Sequence, residues 1–207
     1  MNVAEYAELT QVSPRRVRAM ARSGVIQAHR TGDRWEIDEV APHRRRRRPL
    51  SPASRLALTR ALHTRTLEGL SGQMRARTAE RVDLLRRTDE PAHILADWWG
   101  GVAPTHLDGG SNLVVHAIRG NHDRVAEVLH RPRTEYLREP ADLARTVRDE
   151  RAIHGLTRRA LSERADVDTG LIGSIERAEP LNDIRGVRRV LRALEVEPLA
   201  LPPMDLR

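Results

Sequence analysis

The chain has 207 residues, a formal net charge of +7 and no cysteine. Without cysteine there is no disulfide framework and no thiolate metal site, and no apolar run approaches the roughly 20 residues of a membrane span. Phe is absent and only five Trp and Tyr occur, so any core is built from Leu, Val, Ile and Ala, which favours small domains over one large one.

All 36 basic residues are Arg. Their guanidinium forks can pair phosphates and guanine edges bidentately, which Lys cannot. The charge is uneven: residues 1–48 carry eleven Arg against six Asp and Glu, whereas residues 141–207 carry twelve of each. The basic footprint at the start of the chain predicts a polyanionic partner. No signal-peptide-like apolar stretch opens the chain, so a bacterial cytoplasmic location is expected, at the nucleoid when bound.

Residues 3–9 place Val3, Ala4 and Ala7 at helical spacing. Ser13 then suits an N-cap and Pro14 a first helical position. Residues 14–23 predict a second helix, with Val17 and Met20 inward, Arg15, Arg16, Arg18 and Arg22 outward, and Gly24 as C-cap. Residues 25–30 and 34–37 flank Thr31-Gly32-Asp33, a turn-rich centre that predicts a hairpin.

Helix, turn, helix and a hairpin ending in RWEI together resemble the winged helix of the excisionase and MerR-type DNA binders. The resemblance covers about 40 residues. It implies that the second helix enters the major groove with Arg15, Arg16 and Arg18 as the groove-facing group, and Ser13 and Arg22 are counted with them as DNA-binding residues. It also implies that His29, Arg30 and Arg34 are wing contacts and that Trp35 is core beneath the wing. Arg44, Arg45, Arg46, Arg47 and Arg48 follow as an unbroken run. Such a run repels itself and is read as a basic arm on phosphates or in a minor groove, with a solvated linker as the alternative.

In the middle, residues 52–87 predict two helices broken at Gly69 to Gly72, and residues 92–99 a third that ends at Gly100-Gly101. Asp108-Gly109-Gly110-Ser111 reads as a turn, residues 112–118 as a strand, residues 122–130 as a helix, and Tyr136-Leu137 as an extended piece. A small α+β unit is therefore expected over 52–138. Gly120-Asn121-His122-Asp123, between the strand and helix so read, resembles the metal-binding GNHD motif of calcineurin-like phosphoesterases. No Asp-x-His motif of that family precedes it, and a polar turn capped by Asn121 or His122 is the ordinary reading. Trp98-Trp99 reads as core or an interface anchor.

At the C-terminal end, residues 143–154, 157–165, 169–177 and 184–194 predict four helices, with Thr157 as a cap and Asp166-Val167-Asp168 as a turn. GLTRRALSERADVD, IGSIERAEP and VRRVLRALEVEP resemble the Cro-repressor (Xre-type) domain in order and spacing. The resemblance implies a core of Ala160, Leu161, Ala165, Val167, Ile172 and Ile175. It places Thr157 and Arg158 at a backbone-contacting helix start, and Thr169, Gly170, Gly173 and Ser174 at base-facing positions. Those positions lack the long side chains that read bases bidentately, and Ala178 stands where that family usually has Gly. Dimerisation, partner binding and a weak second DNA contact stay open for this module.

The expected fold is mainly α: a winged helix-turn-helix with a β-hairpin over 1–43, an Arg-rich linker over 44–51, a small α+β middle region over 52–138 and an all-α Xre-type domain over 139–207. The arrangement resembles an AbiEi-like start and a HipB-like end among antitoxins of toxin–antitoxin operons. That resemblance implies an autoregulatory repressor, and because no nucleophile motif or Walker-type loop occurs, neither an enzyme nor a cofactor is expected. Its partners would be double-stranded operator DNA with an inverted repeat, a second copy in a homodimer and a cognate toxin, with no membrane. The alternatives are a phage or mobile-element regulator, an excisionase-like architectural protein and, remotely, a metal-dependent phosphoesterase.

Overall fold

Asn2 accepts the N–H of Ala4 at 2.8 Å, while the Glu5 carboxylate takes the N–H of Asn2 at 2.9 Å. This reciprocal capping starts helix α1, Val3–Thr10. Ser13 caps helix α2, Pro14–Arg22, by accepting the N–H of Arg16 at 3.4 Å. Strands β1, Ala28–Thr31, and β2, Arg34–Ile37, pair antiparallel around Gly32-Asp33. Gly32 alone of these two residues has positive φ, as a two-residue hairpin that starts with Gly requires. Tyr6, Ala7, Val17, Ala21, Ile26 and Ile37 form the core, with Met20 and Trp35 packed at its edge. The helical face of α1 thus turns on Tyr6, fully buried, while Ala4, one of the apolar residues at helical spacing, is exposed. Met1 extends the hairpin, its carbonyl taking the N–H of Ile37 at 2.8 Å.

The computed structural model describes residues 1–10, 12–22, 26, 28–38, 47–104 and 109–203. The chain divides into two compact units, Met1–Arg46 and Arg47–Arg207. The proposed cap at Gly24 lies outside the described residues, as do Arg44, Arg45 and Arg46.

The second unit opens with α3, Pro52–Thr64, α4, Gly72–Arg87, and α5, Pro91–Trp99. Helices α6, Gly109–Ile118, and α7, His122–His130, follow. Their shared core centres on Leu58, Leu67, Leu85, Leu95, Trp98, Trp99, Val114 and Val125. The strand expected over 112–118 is therefore a helix, and Gly109 to Ser111, read as a turn, are its first residues. A short apolar run such as NLVVHAI suits a buried helix as well as a strand by periodicity. Packing decides it, because α6 is lodged against both α3 and α5. Gly110 permits the close approach: a Cβ there would lie 2.1 Å from the carbonyl oxygen of Thr59. Gly110→Ala is expected to destabilise the fold by about 1–3 kcal/mol through overpacking, read as a lower urea midpoint.

Strand β3, Arg133–Tyr136, leads into α8, Pro140–Ile153, α9, Arg158–Ala165, α10, Thr169–Glu176, and α11, Ile184–Ala193. Strand β4, Val196–Ala200, then pairs parallel with β3. A second core gathers Leu137, Leu143, Val147, Leu161, Ile172, Ile175, Val187, Val190 and Leu191. Ala160 and Val167, expected in this core, are half-buried.

The sequence pattern separates 52–138 from 139–207, whereas both lie in one unit with two cores. Helix α8 is the shared member: Leu143 and Val147 enter the second core and Ile153 the first. The described residues are mainly helical, with eleven helices, one hairpin and one parallel strand pair. No described helix is long and apolar enough to cross a membrane.

Two helix ends carry the same hydrogen-bond pattern with different residues. After α8, Gly155 and Leu156 donate to the carbonyls of Ala152 and Arg151, with Gly155 at φ 63°. After α10, Ala178 and Glu179 donate to Ile175 and Ser174, with Ala178 at φ 57°. This is the left-handed cap that Gly fills without a Cβ clash. Ala178→Gly is expected to stabilise the unit by about 0.5–1 kcal/mol, seen as a raised melting temperature.

Candidate nucleic-acid interface

Helix α2 turns about 100° per residue, so Arg15, Arg18 and Arg22 fall on one stripe, with Ala19 beside it on the side towards Arg16. Val17 and Ala21 occupy the opposite, buried side. Arg15, Arg16, Arg18 and Arg22 are all exposed, and among the described residues none of them has an ion pair. Arg16 lies on the flank of the stripe, so the structure groups Arg22, rather than Arg16, with Arg15 and Arg18. Exposed cations without partners keep their full charge and donors for a ligand. Ala19 adds no bulk that would hold the stripe off a surface. The Ser13 hydroxyl is engaged as the helix cap.

The hairpin is more balanced. His29 sits 2.8 Å from Asp38 and 3.3 Å from Glu36. Its pKa is raised above the ordinary histidine value, chiefly by the hydrogen bond and charge of Asp38. Arg30 pairs with Asp33 at 3.2 Å. Arg34 is exposed and has no ion pair among the described residues, which leaves it the uncompensated cation of β1 and β2.

Arg47 and Arg48 are exposed in the second unit, and the backbone N–H of Arg47 donates to Asp97 at 3.1 Å. In α10, the polar groups at the expected base-facing positions are used internally. Thr169 Oγ1 bonds Ser162 Oγ at 2.9 Å, and the N–H of Gly170 donates to Asp168 at 2.7 Å. Gly173 is buried. Hydrogen bonds from Arg177 and then Ser174 pull the Glu179 carboxyl down to about 2. Arg158 donates to Glu176 at 2.5 Å, beside Arg151 at 2.6 Å. Burial pushes the Glu176 carboxyl up, and these two guanidiniums more than offset it, leaving its pKa below the ordinary value. Arg158 is therefore part of an internal bridge that ties α9 to α10.

A second cationic stripe escapes the sequence pattern as read above. Arg185, Arg188, Arg189 and Arg192 recur on α11 at i, i+3, i+4 and i+7, all exposed, while Val187, Val190 and Leu191 are buried behind them. Arg189 pairs with Asp166 at 3.0 Å, and the other three have no ion pair among the described residues. The signal is present in IRGVRRVLRA. Averaging charge over 141–207 hides it, because the acidic residues lie on other elements.

Buried charges elsewhere serve packing. Glu150 of α8, with its side chain 1% exposed, takes Arg86 at 2.6 Å and also pairs with Arg133. Burial pushes its carboxyl up, but the charges of Arg86 and then Arg133 outweigh that and hold it below the ordinary range. Neighbouring Asp149 takes Arg75 at 2.6 Å and the N–H of Leu67 at 2.9 Å.

The GNHD tetrapeptide lies between two helices, not after a strand. Asn121 holds the N-cap position of α7 without a side-chain cap bond, and its amide meets His116 at 3.1 Å instead. Among the described residues, no group of three or more His, Asp or Glu is placed to hold a metal ion. No protein-family model, curated protein or solved structure matches the chain.

Proposed function

We propose that the protein is a sequence-specific DNA-binding repressor whose first unit is a winged helix-turn-helix with α2 as its reading helix. The observation that carries this reading is the stripe of Arg15, Arg18 and Arg22: exposed, without an ion pair among the described residues and backed by a packed core. A helix of this width fits the major groove, where Arg pairs guanine O6 and N7. Arg34 on the hairpin would grip the backbone beside it, and Arg44 to Arg48 would add phosphate contacts that fix position rather than sequence.

Helices α8 to α11 are read as an Xre-type module. The engaged hydroxyls and amides of α10 favour a role other than base reading for it, while Arg185, Arg188 and Arg192 on α11 suit phosphate contact. A homodimer on an inverted repeat belongs to the proposal, because two-fold symmetry pairs half-sites. The autoregulatory antitoxin is its narrower form, and co-purification with the product of the neighbouring gene tests that form.

The deciding experiment is binding of the purified protein to its own upstream DNA against random DNA across a salt series. The expected result is a large preference for the upstream sequence, with affinity falling steeply as salt rises. Equal binding to both DNAs would overturn sequence-specific repression in favour of an architectural role. Replacing Arg185, Arg188 and Arg192 together by Ala is expected to flatten the salt slope by about one unit for each phosphate no longer neutralised and to leave the preference between DNAs unchanged.

A further inference from the structure

The second unit contains a cleft of about 740 Å³ where its two cores approach each other. Val82 and Leu113 of the first core and Leu194 of the second contribute to its wall. The volume lies within the range of small-molecule sites, about 300–1,000 Å³.

Its charge is lopsided. Six Arg and three His line it against Asp83, Glu150 and Glu195. Each carboxylate is already taken: Asp83 by Arg87 at 2.7 Å, Glu195 by Arg164 at 3.5 Å, and Glu150 by Arg86 and Arg133. Arg65 and Arg131 have no ion pair among the described residues, and both line the cleft. His63 and His130 beside them add ring donors.

A second observation is independent of charge. Arg65 at φ 55° and Glu195 at φ 58° are two of the four described non-glycine residues in the left-handed region, and both border this cleft. Glycine would hold either backbone at lower conformational cost. At residue 65 the fold keeps instead a side chain that ends in an unpaired guanidinium.

We propose that this cleft binds a small organic phosphate, with its phosphate held by Arg65 and Arg131 and its organic part against the apolar wall. Two guanidiniums without carboxylate partners match the double charge and multiple acceptor oxygens of a phosphate monoester. A ligand seated there would touch both cores at once, so binding would stiffen the unit as a whole.

Adenosine 5′-monophosphate is the probe, with adenosine as the uncharged control, titrated calorimetrically into the full chain at constant ionic strength. Saturable binding of the monophosphate and none of adenosine is expected. The variant Arg65→Gly with Arg131→Ala should bind at least tenfold more weakly. Its circular dichroism should match the parent and its melting temperature should be no lower, because Gly suits the left-handed backbone at residue 65. The variant Arg15→Ala with Arg18→Ala and Arg22→Ala should bind the probe as the parent does. No saturable binding, binding unchanged in the Arg65 and Arg131 variant, or binding abolished in the α2 variant would each overturn the proposal. No step of this test uses DNA, so its result is independent of the operator experiment.

Discussion

Replacing Arg15, Arg18 and Arg22 together by Ala is expected to weaken binding to the upstream DNA at least a hundredfold. Each good bidentate base contact contributes about 1–3 kcal/mol, and every 1.4 kcal/mol is tenfold in affinity, so removing all three pairings, at least about 3 kcal/mol, suffices. The fold should survive, since all three side chains are exposed and without ion pairs in the described residues, and Ala is a strong helix former. Binding to random DNA should fall much less, because that binding depends on total charge rather than on one helix face. Arg16→Ala is the internal comparison: Arg16 lies on the flank of the same helix and should matter less than any member of the stripe. Competition binding at a single salt concentration reads both effects. Unchanged preference in the triple variant would remove α2 from the reading role, and a larger loss from Arg16→Ala would mean that the helix enters the groove rotated towards that side.

Glu150→Ala is expected to cost the second unit about 3–5 kcal/mol, the usual result of breaking a buried ion pair from one side. The carboxylate serves Arg86 of α4 and Arg133 of β3 at the same time. Its removal leaves two guanidiniums partly buried with weaker compensation, although Arg133 keeps Glu135 at 2.9 Å. Urea unfolding at neutral pH measures the loss.

The same group predicts acid sensitivity. The folded pKa of Glu150 lies below its ordinary value, so its stabilising contribution is present above the ordinary carboxylate pKa and is lost as pH falls through the folded value. Glu176, held down by Arg151 and Arg158, acts in the same direction. The urea midpoint should therefore fall as pH drops below about 4.3. Glu150→Gln should show a shallower fall, because Gln does not titrate.

The helices of the C-terminal region are legible in the sequence because their signals are local. Thr157 caps α9, accepting the N–H of Ala160 at 3.0 Å, and Leu161, Ile172 and Ile175 sit in the core as the resemblance implies. The stretch from 109 to 118 is not legible. Val114 and Val115 suit either a strand or a buried helix, and the choice rests on how closely Gly110 approaches Thr59, about 50 residues earlier in sequence. Nothing in the sequence marks Asp149 and Glu150 of α8 for burial. They are nevertheless 3% and 1% exposed, because Arg75, Arg86 and Arg133 reach them from other elements.

Sequence by itself determined where α1, α2, the hairpin and most of the later helices lie, since capping residues, turn residues and apolar periodicity act within a few neighbours. It also placed Arg15, Arg18 and Arg22 outside, because Val17 had to be inside. Tertiary structure alone decided the parallel pairing of β3 with β4, about 60 residues apart, and the joining of two sequence-defined regions through α8. It also decided which cations remain unpaired. Those outcomes depend on which side chains meet across long stretches of chain, and short-range pattern carries no term for that.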